Sequence, residues 1–260
     1  MLRIRLAADL GPIDIPFQQA LDRIREMQLD GVELDLSKLM PLEDFTRTAT
    51  REIRKSLSDR NLSLAAVRYR TPRGLHYPTG IENYLDNMKK SMELTYQLGG
   101  NVTIMSLGLV PRDQKSVDWQ ILREIVQELC RFSERAGSVA AAETDRSPPE
   151  AFVALLDGIP EAGFGVDVSP GELATYGFDP VAAIETFNRR IVTFHATDAI
   201  NRPGGRGYDV APLGRGDLDY PAVLSALENA GFPGFIILRS CMADDPMTEI
   251  RQARDFLFRL

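Results

Sequence analysis

The sequence is poor in the residues that staple or metallate a protein. Two cysteines, Cys130 and Cys241, stand among 260 residues with no Cys-x-x-Cys spacing. That excludes a disulfide framework and a thiolate-rich zinc module. Cys130 falls in an apolar helical stretch and is expected to be a buried thiol. Histidine is as scarce, with only His76 and His195. No stretch reaches the ~18 uninterrupted apolar residues that a membrane helix needs. Residues 1–16 hold no apolar run suited to a signal peptide, so a cytoplasmic, reduced protein with no membrane partner is expected. Basic charge is also short: 30 Lys and Arg against 37 Asp and Glu give a net charge of -7. Without a long Lys/Arg run to neutralise phosphates, the chain makes a poor nucleic-acid binder.

What is present fits a large core. The chain is 44% hydrophobic and 26% charged, ordinary for a globular α/β protein. Eight short apolar runs, at 4–8, 31–36, 62–68, 102–106, 139–143, 164–168, 191–195 and 235–239, read as strands covered on both faces. Helical periodicity fills the intervals. Phe17, Leu21, Ile24 and Met27 share a face, as do Leu85, Met88, Met92 and Tyr96, then Leu122, Ile125, Val126, Leu129 and Phe132, and finally Ile250, Ala253 and Leu257. Each such stripe is expected to be core. Gly99-Gly100, Gly137, Gly163, and Gly231 with Gly234 precede strands and supply helix stops. Eight strand–helix units without a linker predict one (β/α)₈ barrel over residues 1–260. A doubly wound open sheet would carry a glycine fingerprint after the first strand; Ala8-Asp9-Leu10-Gly11 is none. The longest irregular stretch, 198–220, is expected to cover a site.

In such a barrel the C-terminal strand ends converge on one pocket. The fifth strand ends in Glu143, followed by Asp145. The sixth delivers Asp167, the seventh His195 with Asp198 three residues on, and the eighth Arg239. Two carboxylates and an imidazole suit a divalent cation held by oxygen and nitrogen; the bland alternative is a set of loop caps or buried ion pairs. Asp198 is a candidate acceptor for the second N–H of His195 and a candidate substrate-binding residue. His76 falls in a loop near the third strand's end, where it could touch substrate.

At these residues the chain resembles the xylose isomerase-like sugar phosphate isomerase/epimerase family. Gly31-Val-Glu-Leu, Ala142-Glu143, Val166-Asp167, His195-x-x-Asp198 and the stretch Pro212-Leu-Gly-Arg-Gly-Asp217-Leu-Asp-Tyr carry the resemblance, which spans nearly the whole chain. It implies a barrel acting on a small polyol, sugar or sugar phosphate. It also implies a Mn, Mg or Zn ion held by Glu143, Asp167, His195 and a final Glu, with the first and last Glu moving protons about an enediolate. A substrate-binding arginine is implied near Arg202, with Arg206 as its rival, although loop arginines are usually just solvated.

The chain departs from that pattern twice. Pro170 stands where a histidine is common, and Arg239 stands where the last Glu is expected. A guanidinium about 5 Å from a dication is repelled by roughly 6–7 kcal/mol at an effective dielectric of ~20. Three arrangements follow. Arg239 points away and leaves a three-ligand ion; or it takes the ion's place, pairing with Glu143 or Asp167; or an anionic substrate lies between it and the metal. Glu143 as a single base, with Arg239 polarising the carbonyl, would still permit isomerisation. The competing readings are a non-catalytic relative that binds a sugar or an acid, and a lyase or dehydratase on the same scaffold. An apurinic endonuclease is disfavoured by the acidic balance and the two histidines. Self-association is left open.

Overall fold

The computed structural model describes residues 5–70, 80–144, 146–205, 207–241 and 244–260. Its strands, in chain order, are β1 (Arg5–Asp9), β2 (Gly31–Asp35), β3 (Ser63–Arg68), β4 (Val102–Met105), β5 (Val139–Glu143), β6 (Phe164–Val168), β7 (Ile191–Ala196), β8 (Asp198–Asn201), β9 (Tyr208–Ala211) and β10 (Phe235–Leu238). All but β8 and β9 pair in parallel in the order β1-β10-β7-β6-β5-β4-β3-β2, and β1 also pairs with β2, so the sheet closes. Helices lie between the strands: α1 (Phe17–Glu26), α2 (Leu36–Leu39), α3 (Arg47–Ser58), α4 (Ile81–Leu98), α5 (Val117–Ala136), α6 (Pro149–Leu156), α7 (Pro170–Thr175), α8 (Pro180–Phe187), α9 (Tyr220–Asn229) and α10 (Pro246–Leu257). This is a (β/α)₈ TIM barrel, as the alternating runs predict. Among the described residues no helix is long and apolar enough to cross a membrane.

Local chemistry sets the helix ends. Thr46, Ser116 and Asp219 accept hydrogen bonds from the backbone N–H groups of Ala49, Trp119 and Ala222 and so cap α3, α5 and α9. Gly99 ends α4 at φ 93°, where a side chain would be strained. Gly163 serves differently from the expected helix stop: a Cβ there would lie 2.2 Å from Cys130 Sγ, so it is needed for close packing. Cys130 is buried, as its apolar setting predicts.

The core has two parts. The helix stripes, including Leu21, Ile24, Leu122, Val126 and Leu129, bury against the outer face of the barrel, each large side chain contributing roughly 1.5–3 kcal/mol. A smaller cluster that includes Ala7, Ala65, Ala141, Phe235 and Ile237 fills the barrel interior. Two residues beyond Ala7, Ala141 and Ile237 stand Asp9, Glu143 and Arg239. The alternation of side chains along a strand therefore places these charged groups one layer above the inner core.

Two expectations are corrected. Tyr96 is not core: it is 61% exposed, because it sits in the last turn of α4 and its ring lies over Gly137 rather than a strand. Residues 198–220 are not wholly irregular: β8 and β9 pair antiparallel, Asp198 opposite Ala211 and Asn201 opposite Tyr208. The strands are four residues each and rich in polar side chains, so no apolar run announces them.

Candidate active site

The mouth at the C-terminal strand ends is filled by charge. β1 delivers Asp9, β2 Glu33, β3 Arg68, β5 Glu143, β6 Asp167 and β7 His195, and Arg239 follows β10 directly. Register brings neighbours together: Asp9 lies opposite Glu33, and Glu143 opposite Asp167. Glu172, from α7, completes the group through Arg239.

Arg68 is the hub. Its guanidinium is buried; Nε donates to Glu33 Oε1 at 2.8 Å and Nη1 pairs with Glu143. Nη2 lies 3.6 Å from Asp167 Oδ2. Arg239 is a second hub. It donates from Nε to Asp9 Oδ2 at 2.9 Å, and it lies 3.9 Å from Glu33 Oε1 and 3.6 Å from Glu172 Oε1. Its Nη2 is buried without a hydrogen-bond partner among the described residues.

His195 is fully buried between two carboxylates, Nδ1 at 2.7 Å from Asp167 Oδ1 and Nε2 at 2.7 Å from Glu33 Oε2. A carboxylate on each side calls for a proton on each nitrogen, so the ring donates both ways as an imidazolium. Burial and Arg239 push its pKa down, yet Asp167 and Glu33 outweigh them and hold it above the ordinary histidine value. Burial likewise raises Glu33 and Asp167. The Arg68 charge and His195 overcome this for Glu33, and His195 followed by Arg68 does so for Asp167, so both stay below the usual carboxylate range. The 3.2 Å approach of Arg68 Nη2 to His195 Nε2 is then a meeting of two donors, tolerated because Glu33 binds both.

The expected metal trio is together, but around a guanidinium. Glu143, Asp167 and His195 do converge; Arg68 lies among them. Arg239 does not take that place, nor does it pair with Glu143 or Asp167; its partners are Asp9, Glu33 and Glu172. The reason is position: Arg239 stands across from Asp9 at the β1–β10 seam, whereas the end of β3 aims Arg68 across the mouth. Asp9, Glu33 and His195 each bring one ligand atom within 4.8 Å of the others, a geometry that could hold a cation. As arranged, though, neither donor set fits a divalent ion. Both ring nitrogens of His195 carry protons toward carboxylates, Asp9 is bound by Arg239, and Arg68 sits where Glu143 and Asp167 would meet the ion.

Asp198 does not orient His195. Its carboxylate accepts from the backbone N–H groups of Ala199, Gly214, Gly216 and Leu218 at 2.8–3.3 Å, which fixes the segment after β9. Arg202 is exposed on the hairpin and pairs with Asp209 at 2.7 Å, away from the cluster. His76, Asp145 and Arg206 lie outside the described residues. Sequence reading missed Asp9, Glu33, Arg68 and Glu172. The first three carry the signal used for the later strands, a charged residue within or ending an apolar run; Glu172 carries none, because it comes from a short helix.

Among the three carboxylates around Arg68, Glu143 stands apart. Its side chain is 26% exposed while Glu33 and Asp167 are closed off. It is a carboxylate reachable from solvent yet backed by an immobile positive charge.

A model of the family described as xylose isomerase-like TIM barrel matches residues 21–260. Solved structures agree in fold. A xylose isomerase domain protein from Planctomyces limnophilus superimposes with a TM-score of 0.83 at 17% identity, over 98% of this chain and 95% of that one. D-psicose 3-epimerase from Clostridium cellulolyticum H10, solved with D-tagatose, gives 0.78 at 14% identity, over 98% of each chain. A xylose isomerase-like TIM barrel protein from Mycobacterium smegmatis, solved with magnesium, gives 0.74 at 18% identity, over 98% and 95%. No curated protein matches the sequence.

Proposed function

The chain belongs to the xylose isomerase-like TIM barrel family, and we propose from this that it is an isomerase or epimerase of a small sugar or sugar-phosphate-like carbonyl compound. In this reading arginines supply the positive charge that an ion would otherwise bring. Glu143 carries the proposal: a partly open carboxylate at the barrel mouth, paired with a buried guanidinium. The epimerase fold of structural neighbours supports the substrate class.

The chemistry is one proton moved along a carbon pair. Glu143 removes the proton from the carbon beside the substrate carbonyl. The C–H electron pair forms the C=C bond, and the carbonyl π pair moves onto oxygen, giving an enediolate. In this reading the Arg68 and Arg239 guanidiniums supply the positive charge for that developing negative charge, and a fixed donor needs no reorganisation as the charge appears. The hydroxyl proton passes to the neighbouring oxygen. Glu143 then returns its proton to the adjacent carbon, which exchanges aldose for ketose without net change in atoms or electrons. His195, Glu33 and Asp167 act by holding Arg68 in place.

The test is deuterium uptake from D₂O at the carbon beside the carbonyl, followed by proton NMR over a panel of aldoses, ketoses and their phosphates. Uptake with at least one of them is expected, unchanged by EDTA. Glu143→Gln should slow it by about 10²–10⁴-fold, the span of general acid–base catalysis. Undiminished exchange in the variant, or none in the parent protein, overturns the reading. Binding without exchange would instead favour a non-catalytic sugar-binding relative.

A further inference from the structure

A basic cavity of about 1220 Å³ opens at the other mouth of the barrel, among the first residues of the strands. Arg5, Arg47, Arg51 and Arg54 line it, with Tyr96 and Asn101 at its edge, and no acidic residue is among its described lining. Among the described residues none of the four arginines forms an ion pair. The whole chain is acidic, so four unpaired guanidiniums around one hollow are not what its composition would scatter there.

The local sequence makes the same point. Arg47, Arg51 and Arg54 follow one another at spacings of four and three along α3, so they share one face. Arg47 opens the helix, where the dipole disfavours a cation, and no acidic residue stands in the first turn to offset it. Like charges stacked at that spacing repel. This face opposes the helix it is built on, a local conflict of the kind that marks a site. Arg5 is held from the opposite side: it donates to the Pro233 carbonyl at 2.9 Å and its guanidinium lies 4.1 Å from the centre of the Phe235 ring. One arginine is thus anchored, facing three on a helix across a hollow.

We propose that this cavity binds a small molecule carrying two adjacent phosphate groups. Guanidiniums pair with phosphate oxygens in forked geometry, and four of them match a diphosphate better than a single phosphate. The hollow has the volume for more than the diphosphate alone. Tyr96, whose exposed side chain contradicts the apolar stripe it belongs to, offers a ring at the edge. The site is independent of the chemistry at the C-terminal mouth.

Titration calorimetry of the purified chain at low salt tests it with pyrophosphate, orthophosphate and ADP. Saturable binding of one pyrophosphate per chain is expected, about tenfold or more tighter than orthophosphate. ADP tighter than pyrophosphate assigns the site to nucleotides; ADP weaker assigns it to a diphosphate on a smaller carrier; both support the proposal. Arg51→Ala with Arg54→Ala should weaken pyrophosphate by about tenfold or more, while Arg51→Lys with Arg54→Lys, which keeps the charge but not the fork, should weaken it less than the alanine pair does. Should the alanine pair fail to fold, Arg5→Gln alone must still weaken binding. No saturable pyrophosphate binding, or full affinity in the alanine pair, overturns the proposal. So does binding of an RNA oligonucleotide when pyrophosphate and ADP do not bind.

Discussion

His195 shows how a residue's charge state is set by its neighbours. Folded, its pKa lies above the ordinary histidine value, so it contributes stability that is full below about pH 6.5 and is lost as pH rises through the higher folded value. Glu33 and Asp167 run the other way. Their folded values are depressed, so their contribution is present above the ordinary carboxylate range and is lost in acid. Melting temperature followed by calorimetry should therefore peak between about pH 4.5 and 6.5 and fall toward alkaline pH. His195→Gln should remove the alkaline decline and cost about 3–5 kcal/mol, the penalty for breaking a buried pair from one side. A parent protein equally stable from pH 6 to 9 would contradict a charged His195. The same neighbours govern metal affinity. Arg68→Ala with Arg239→Glu vacates the guanidinium among Glu143, Asp167 and His195 and supplies a carboxylate as the fourth ligand. Mn²⁺ binding by calorimetry should appear in that double variant and not in Arg239→Glu alone, because Arg68 would still stand in the way.

At the scale of elements, the segment after β7 is held by one side chain. Asp198 gathers four backbone N–H groups, and Gly216 approaches it so closely that a Cβ would lie 2.1 Å from Oδ1. Asp198→Ala would leave those donors unpaired, at a cost of about 3 kcal/mol by the ordinary scale of charged hydrogen bonds. Urea unfolding should show that loss, and proteolysis should begin within 198–218. A variant as stable and as resistant as the parent would show that water replaces the carboxylate. The motif His195-x-x-Asp198 was legible in the sequence, but its spacing suggests a partnership the fold does not make. His195 faces into the barrel, while Asp198 begins the hairpin and serves it.

At the scale of the whole molecule, the barrel was readable because its strands are buried on both faces and so appear as plain apolar runs. Four of them, at 139–143, 164–168, 191–195 and 235–239, carry the expected site residues near their ends. The centre of the site was harder to read. Arg68 ends the run at 62–68 as plainly as Glu143 ends its own, but only the closing of the barrel sets the end of β3 opposite β5, β6 and β7. Register then decides which guanidinium lies among the acids, and neither spacing nor periodicity carries register across 75 residues from Arg68 to Glu143. The basic hollow was hidden for a related reason: Arg5 and the three arginines of α3 become neighbours only when β1 and β3 align.

Arg68 has one more consequence. A cation grown on a side chain arrives with translation, in fixed proportion to the protein, and never leaves for a chelator or a competing ion. Whatever enters the mouth above Ala7 and Ala141 meets the same countercharge in a metal-starved medium as in a replete one, and only a change of gene can retune it.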